Sequence, residues 1–140
     1  MANDYPISRE KYFVEIEGMD GLGGWIGDPP DLEYGTEAEP IYDSQTERAR
    51  YLPGRKVIPA FKIARMFDAD KRLQQWADEG PKQKLSGSVI YVDYTGEEVR
   101  RNNWTGGWVQ RYKMNDRSIE GADGVATESV VIVAEDMFIG

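Results

Sequence analysis

GSVIYVDY at residues 87–94, followed by Thr95-Gly96 and then EEVRRNNW at 97–104, is the stretch that decides the fold. The first segment is dense in Val, Ile and Tyr, which suit a pleated surface, and Thr95-Gly96 supplies a tight turn. Two strands joined in this way predict an antiparallel hairpin. Downstream, Trp108 to Met114 reads as another strand closed by Asn115-Asp116. Val125 to Ala134 reads as the last one, with Glu128 the only charge in an otherwise small or β-branched run.

Upstream of the hairpin, Leu73, Trp76 and Ala77 fall on one face of a helix over Asp70 to Glu79. Asp68 or Asp70 can cap its first amides, and Gly80-Pro81 stops it. A helix this short needs tertiary packing, so Trp76 is expected to be buried. Tyr12, Val14 and Ile16 alternate with Phe13, Glu15 and Glu17, a period-two pattern for a first strand. It leads into the glycine-rich turn Gly18 to Gly24, after which Trp25-Ile26 begins a short second strand that Pro29-Pro30 interrupts. The pattern resumes weakly from Asp31 to Ile41. An exposed loop is expected over about 43–55, ended by Pro53-Gly54, and then a strand from Arg55 to Arg65 that Pro59 demotes to an edge or bulge.

The whole therefore predicts a mainly β chain, an antiparallel sandwich or small barrel with one short helix, in a single domain over 1–140. Phe13, Trp76, Ile90, Trp104 and Val131 are the expected core or packing residues. Composition narrows function. With no His and no Cys, imidazole proton shuttles, thiol nucleophiles, disulfides and the usual zinc sites are excluded. Seventeen basic against 25 acidic residues leave a net charge of −8, which argues against binding nucleic acid through its phosphates. The charge is segregated: −10 over 1–47, +7 over 48–113 and −5 over 114–140. No run has the apolar length of a signal peptide or membrane span, so synthesis and residence in the cytoplasm are expected.

The candidate sites read more simply as structure. Glu15 and Glu17 share one side of a strand, but no convergent group accompanies them, so a solvated face explains them better than an acid–base pair. Gly21-Leu22-Gly23-Gly24 lacks the following helix of a phosphate cradle. Asp68 and Asp70 fit helix capping better than a calcium loop. No catalytic, cofactor or metal site is expected. A monomeric β-barrel enclosing a small apolar ligand is the competing reading for such a chain.

Taken in order, the segments resemble the tail tube proteins of contractile phage tails and related contractile injection systems, a family also similar to the haemolysin-coregulated protein of type VI secretion. The resemblance runs from Tyr12-Phe13-Val14-Glu15-Ile16-Glu17-Gly18 through Gly24-Trp25-Ile26-Gly27 and Glu33-Tyr34. It continues in Tyr51-Leu52-Pro53-Gly54-Arg55-Lys56, Phe61 to Arg65, Leu73 to Trp76, Gly87 to Ile90, and Trp104 to Trp108 with Lys113. It closes on Thr127 to Asp136. It implies a structural subunit without cofactor, forming hexameric rings that stack into a tube inside a sheath. Sheath, baseplate and tape-measure or terminator proteins are the implied partners, and DNA or protein cargo passes through the bore without specific binding. The implied location is the cytoplasm on synthesis and then a virion tail or contractile particle. Gln45, Glu47, Arg48, Arg50, Tyr51, Arg55 and Lys56 are the candidate contacts between subunits or rings. Pairing such a sheet across subunits would also remove its open edges.

Overall fold

The structure, a computed structural model, describes residues 7–27, 30–42, 49–114 and 126–140. Eight strands and one helix follow in the order β1 (Ile7–Ile16), β2 (Gly35–Tyr42), β3 (Ala49–Val57), β4 (Phe61–Met66), α1 (Arg72–Glu79), β5 (Leu85–Asp93), β6 (Glu98–Met114), β7 (Thr127–Val133) and β8 (Asp136–Ile139). The hairpin read at Thr95-Gly96 is the centre of the fold. Asp93 Oδ1 accepts the backbone N–H of Thr95 at 2.9 Å and of Glu97 at 3.1 Å, and Gly96 takes φ +92°, so the turn is organised by a buried carboxylate.

One antiparallel sheet runs β1-β5-β6-β7-β4, with β8 also paired to β6. β6 joins its two halves: its first part bonds to β5 and β8, and residues 108–114 bond to β7. Trp104 to Trp108 is therefore one continuous strand, bent at Gly106 (φ +61°), and not two strands separated by a loop. The sheet nearly closes on itself. The chain leaving β1 returns along the far edge of β4, where Met66 N–H donates to the Gly24 carbonyl at 2.7 Å and Ile26 N–H to that of Ala64 at 3.1 Å. Trp25-Ile26 thus forms only a single bridge, Trp25 to Arg65, and β1 pairs with β5 where a first hairpin was expected. The long-range partner wins because Val14 and Ile16 come to lie beside Val89 and Gly87 over the core.

The interior is filled by side chains. Tyr12, Val14 and Ile16 point in from β1, Ile63, Val130 and Ile132 from β4 and β7, and Leu73 and Trp76 from α1. Trp104 is 1% exposed and stands edge-on to Phe61 with ring centroids 5.2 Å apart. Gly87 and Gly107 make room for its indole: a Cβ on Gly87 would lie 2.2 Å from Cζ2, and one on Gly107 2.5 Å from Nε1. α1 begins two residues later than expected. Asp70 Oδ1 accepts the Arg72 amide at 3.0 Å, Gly80 ends the helix with φ +58°, and Trp76 Nε1 donates to the Gln83 carbonyl at 2.8 Å.

The expected strand from Arg55 to Arg65 is two strands, with Pro59 in the gap at 58–60, because proline cannot donate to a ladder. The expected loop is likewise corrected: residues 49–55 belong to β3, which pairs with β2 as a separate two-stranded ribbon. Residues 43–48 lie outside the described residues, as do Pro29 and Asn115-Asp116. β8 was not anticipated. Phe13 is no core residue but 54% exposed, and Val131 is half-buried, because each alternates with inward neighbours along its strand. Trp76 and Trp104 are buried in the core as expected, while Ile90, though 6% exposed, lies on the opposite face of β5 beside Phe13 and Arg101.

Candidate assembly surfaces

The β2–β3 ribbon is the exposed element. Every residue of β2 is exposed, and so is every residue of β3 from Arg50 to Val57. Its register sorts the side chains into two faces. Pro40 opposes Tyr51 and Ala38 opposes Pro53, so that with Tyr42 one face is apolar toward the tip, while Thr36 opposite Lys56 makes it polar at the root. Glu39 opposes Leu52 and Ile41 opposes Arg50, so the other face is mixed. Tyr42 is 75% and Tyr51 67% exposed. A two-stranded ribbon with neither face covered is marginal in water, and its exposed apolar side chains make it a candidate contact surface.

Of the residues expected to make contacts, Arg50, Tyr51, Arg55 and Lys56 all lie on this ribbon and are exposed. Gln45, Glu47 and Arg48 lie outside the described residues. Lys56 Nζ donates to Asp136 Oδ1 at 2.6 Å and to the Met137 carbonyl at 2.8 Å, at the edge of β8.

A second surface is the outer face of β1, β5, β6 and β8. Register places Phe13, Glu15, Ser88, Ile90, Arg101, Asn103, Thr105, Asp136 and Phe138 on it, opposite the core residues Val14, Val89, Trp104 and Met137. Glu15 and Glu17 are exposed on this side, in keeping with a solvated face, and Ser86 N–H donates to Glu17 at 3.1 Å. Arg101 is tied to Glu98 at 2.7 Å and to Glu15 at 3.3 Å, and both carboxylates hold its guanidinium charged. A shallow groove of mixed character results, where Glu15, Glu17, Ser88 and Asn103 border apolar residues such as Met19, Leu22 and Phe138. On the opposite half of the sheet, Lys62 and Arg111 flank Val131 and Lys113 stands beside Ser129, so that outer face carries cations.

Glu128 is the feature that sequence reasoning noticed without interpreting. It is 1% exposed and accepts from Arg65 Nη1 at 2.5 Å, with Arg65 itself 2% exposed. Tyr112 Oη donates to its other oxygen at 2.5 Å. Arg65 completes its donors on the Gly23 carbonyl at 2.8 Å and on both oxygens of Asp68, whose carboxyl it holds below the usual range. Burial, then the Glu128 hydrogen bond, keeps the Tyr112 hydroxyl protonated well above the ordinary tyrosine range. The network fastens the glycine turn of 18–24 to β4, β6 and β7. The clue in the sequence was a lone carboxylate in an apolar strand, which demands a buried partner.

No family model matches the chain, and no curated protein matches it in sequence. Solved structures do match it in shape. A chain in the sheath–tube complex of an extracellular contractile injection system, PVC, in its extended state superposes with a TM-score of 0.77 at 13% identity, covering 99% of this chain and 94% of that one. A chain in the baseplate of the anti-feeding prophage gives 0.73 at 12% identity, covering 96% and 95%. Hcp1 from Flavobacterium johnsoniae gives 0.59 at 15% identity, covering 92% and 94%. The protein has the mainly β fold, with one short helix, that tube proteins of contractile injection systems and Hcp proteins share.

Proposed function

We propose that this chain is the structural subunit of the inner tube of a contractile tail or injection machine and performs no catalysis. The observation that carries this is the β2–β3 ribbon, apolar toward the tip of one face and uncovered on both, in a chain whose fold matches such tube proteins. A protruding surface that one copy offers and another receives is a heterologous contact, the kind that builds stacked rings.

The sheet geometry supports ring closure. β1, β5, β6 and β8 alternate in direction, and β1 and β8 end this four-strand run. A second copy rotated about an axis along the strands brings its β1 beside β8 in antiparallel sense, which continues the alternation into a closed barrel. Six subunits per ring is the expectation that the resemblance brings.

In such a ring the face of Glu15, Glu17, Ser88, Asn103 and Thr105 turns to the bore. The same face carries Phe13, Phe138 and an Arg101 paired with Glu15 and Glu98, so its carboxylates are in excess, which disfavours phosphate and fits cargo passing without a specific site. The cations of Lys62, Arg111 and Lys113 then face outward, toward a sheath or a neighbouring subunit. Sheath, baseplate and terminator proteins are the partners this reading implies, and residence passes from the cytoplasm into the assembled particle. Nothing favours the small-ligand barrel, since side chains occupy the interior.

The test is Tyr42→Ser with Tyr51→Ser. The subunit should keep its melting temperature, because both rings are exposed, while stacking into tubes is lost. A double variant that stacks as well as the parent would overturn the ribbon's part in assembly.

A further inference from the structure

β8 is a four-residue strand paired to β6 alone, and it ends the run β1-β5-β6-β8. Gly140 N–H donates to the Arg101 carbonyl at 3.1 Å, and Phe138 opposes Asn103. Backbone groups alternate sides along a strand, so those of Phe138 and Gly140 face β6 and those of Met137 and Ile139 face the open side. At Met137 both open-side groups are already occupied. Its N–H donates to Asp136 Oδ1 at 2.9 Å and its carbonyl accepts Lys56 Nζ at 2.8 Å. The two side chains bond each other at 2.6 Å, which closes the set. Lys56 comes from β3 and lies 5.1 Å from the Tyr34 ring centroid, at the root of the ribbon. Lys56 first, and the Met137 amide next, hold the Asp136 carboxyl below its ordinary range.

We infer that Lys56 and Asp136 form a plug that closes the β8 edge to a second copy of this chain, and that the plug opens when that copy's β1 pairs with β8. An open strand edge templates addition of another strand, and a charged side chain laid against it is a known way to blunt it. Adding a strand needs the Met137 N–H and carbonyl, the two groups the plug holds. A second copy fits because its β1 is the other terminal strand of the antiparallel run β1-β5-β6-β8 and arrives antiparallel. Release of Lys56 also frees the root of the ribbon, so lateral pairing and ribbon engagement become one event. The identity of the incoming strand rests on the tube reading, whereas the plug itself does not.

The experiment compares the full chain with Lys56→Ala, Asp136→Ala and Lys56→Arg by light scattering over a concentration series, with hydrogen exchange at the Met137 amide of the monomer. Both alanine variants should begin to associate at about threefold to fivefold lower concentration, the scale of one exposed ion pair. Met137 should exchange faster in Asp136→Ala, and Lys56→Arg should behave as the parent. An onset unchanged or raised in both alanine variants, or no association by any of them, overturns the plug. Micrographs of the associated material judge the tube reading separately: irregular aggregates with a lowered onset would retain the plug and reject the tube.

Discussion

Glu128→Gln removes one charge from the interior and changes almost nothing in shape. Gln still offers an oxygen to the Tyr112 hydroxyl, so the loss falls on the pair with Arg65, both members of which are at most 2% exposed. Breaking a buried ion pair on one side typically costs about 3–5 kcal/mol, because the remaining charge stays desolvated. Arg65 keeps Asp68 at 2.9 Å, a partner 57% exposed to water, which places the expectation at the lower end, about 3 kcal/mol. For 140 residues an unfolding entropy of about 2.1 cal/mol/K per residue turns this into a fall of roughly 10 °C in Tm. Circular dichroism melts and urea titrations of the dilute monomer measure it. Asp68→Asn, at the exposed end of the same network, should cost under about 1 kcal/mol. A Glu128→Gln protein within about 1 kcal/mol of the parent would refute the assignment of the network as the fastening between the glycine turn and the sheet.

Trp76→Ala should destabilise the subunit by about 3–5 kcal/mol in urea titration, since it empties a site 2% exposed and orphans the Gln83 carbonyl; a change below about 1 kcal/mol would contradict burial of α1 against the sheet. Alkaline pH should weaken the fold through Tyr112. Its folded pKa is raised, so its contribution is complete below the ordinary tyrosine value of about 10 and is lost as pH rises toward the folded value. Urea midpoints measured from about pH 8 to about pH 11 should fall less in Tyr112→Phe, and equal slopes would assign the alkaline loss elsewhere. Asp70, whose carboxyl Arg72 lowers to about 2, contributes in the opposite sense. Its stabilisation is present above about pH 4 and lost as pH falls toward 2, so Asp70→Asn should flatten the acid limb of the same profile.

How far the fold could be read in advance depended on whether the deciding interactions were local. The hairpin at Thr95-Gly96, the inward face of Tyr12, Val14 and Ile16, and the helix carrying Trp76 all rest on period or turn chemistry within one segment. The errors came where partners lie far apart in sequence. β1 chose β5 over the adjacent Trp25 segment, and nothing local states that Ile16 will meet Gly87. β3 hid because Pro53-Gly54 reads as a loop end, yet a ribbon exposed on both faces tolerates it. β6 hid because Thr105-Gly106-Gly107 reads as a break, while the strand bends there and continues. The exposed ribbon was legible in part: Arg50, Tyr51, Arg55 and Lys56, singled out as candidate contacts, lie on it, but their sorting into two faces needed the register with β2. Arg65 gave no sign of its burial, since an arginine at a strand end is usually solvated, whereas Glu128 did.

Electron microscopy of the purified chain, concentrated without any added ligand or partner, tests the central claim most directly. The account predicts rings with an open bore that stack into tubes, lined by the Glu15 and Glu17 face and joined through the β2–β3 ribbon. A protein that remains monomeric at every concentration and salt, or that forms a tube with Lys62, Arg111 and Lys113 in its bore, would contradict it.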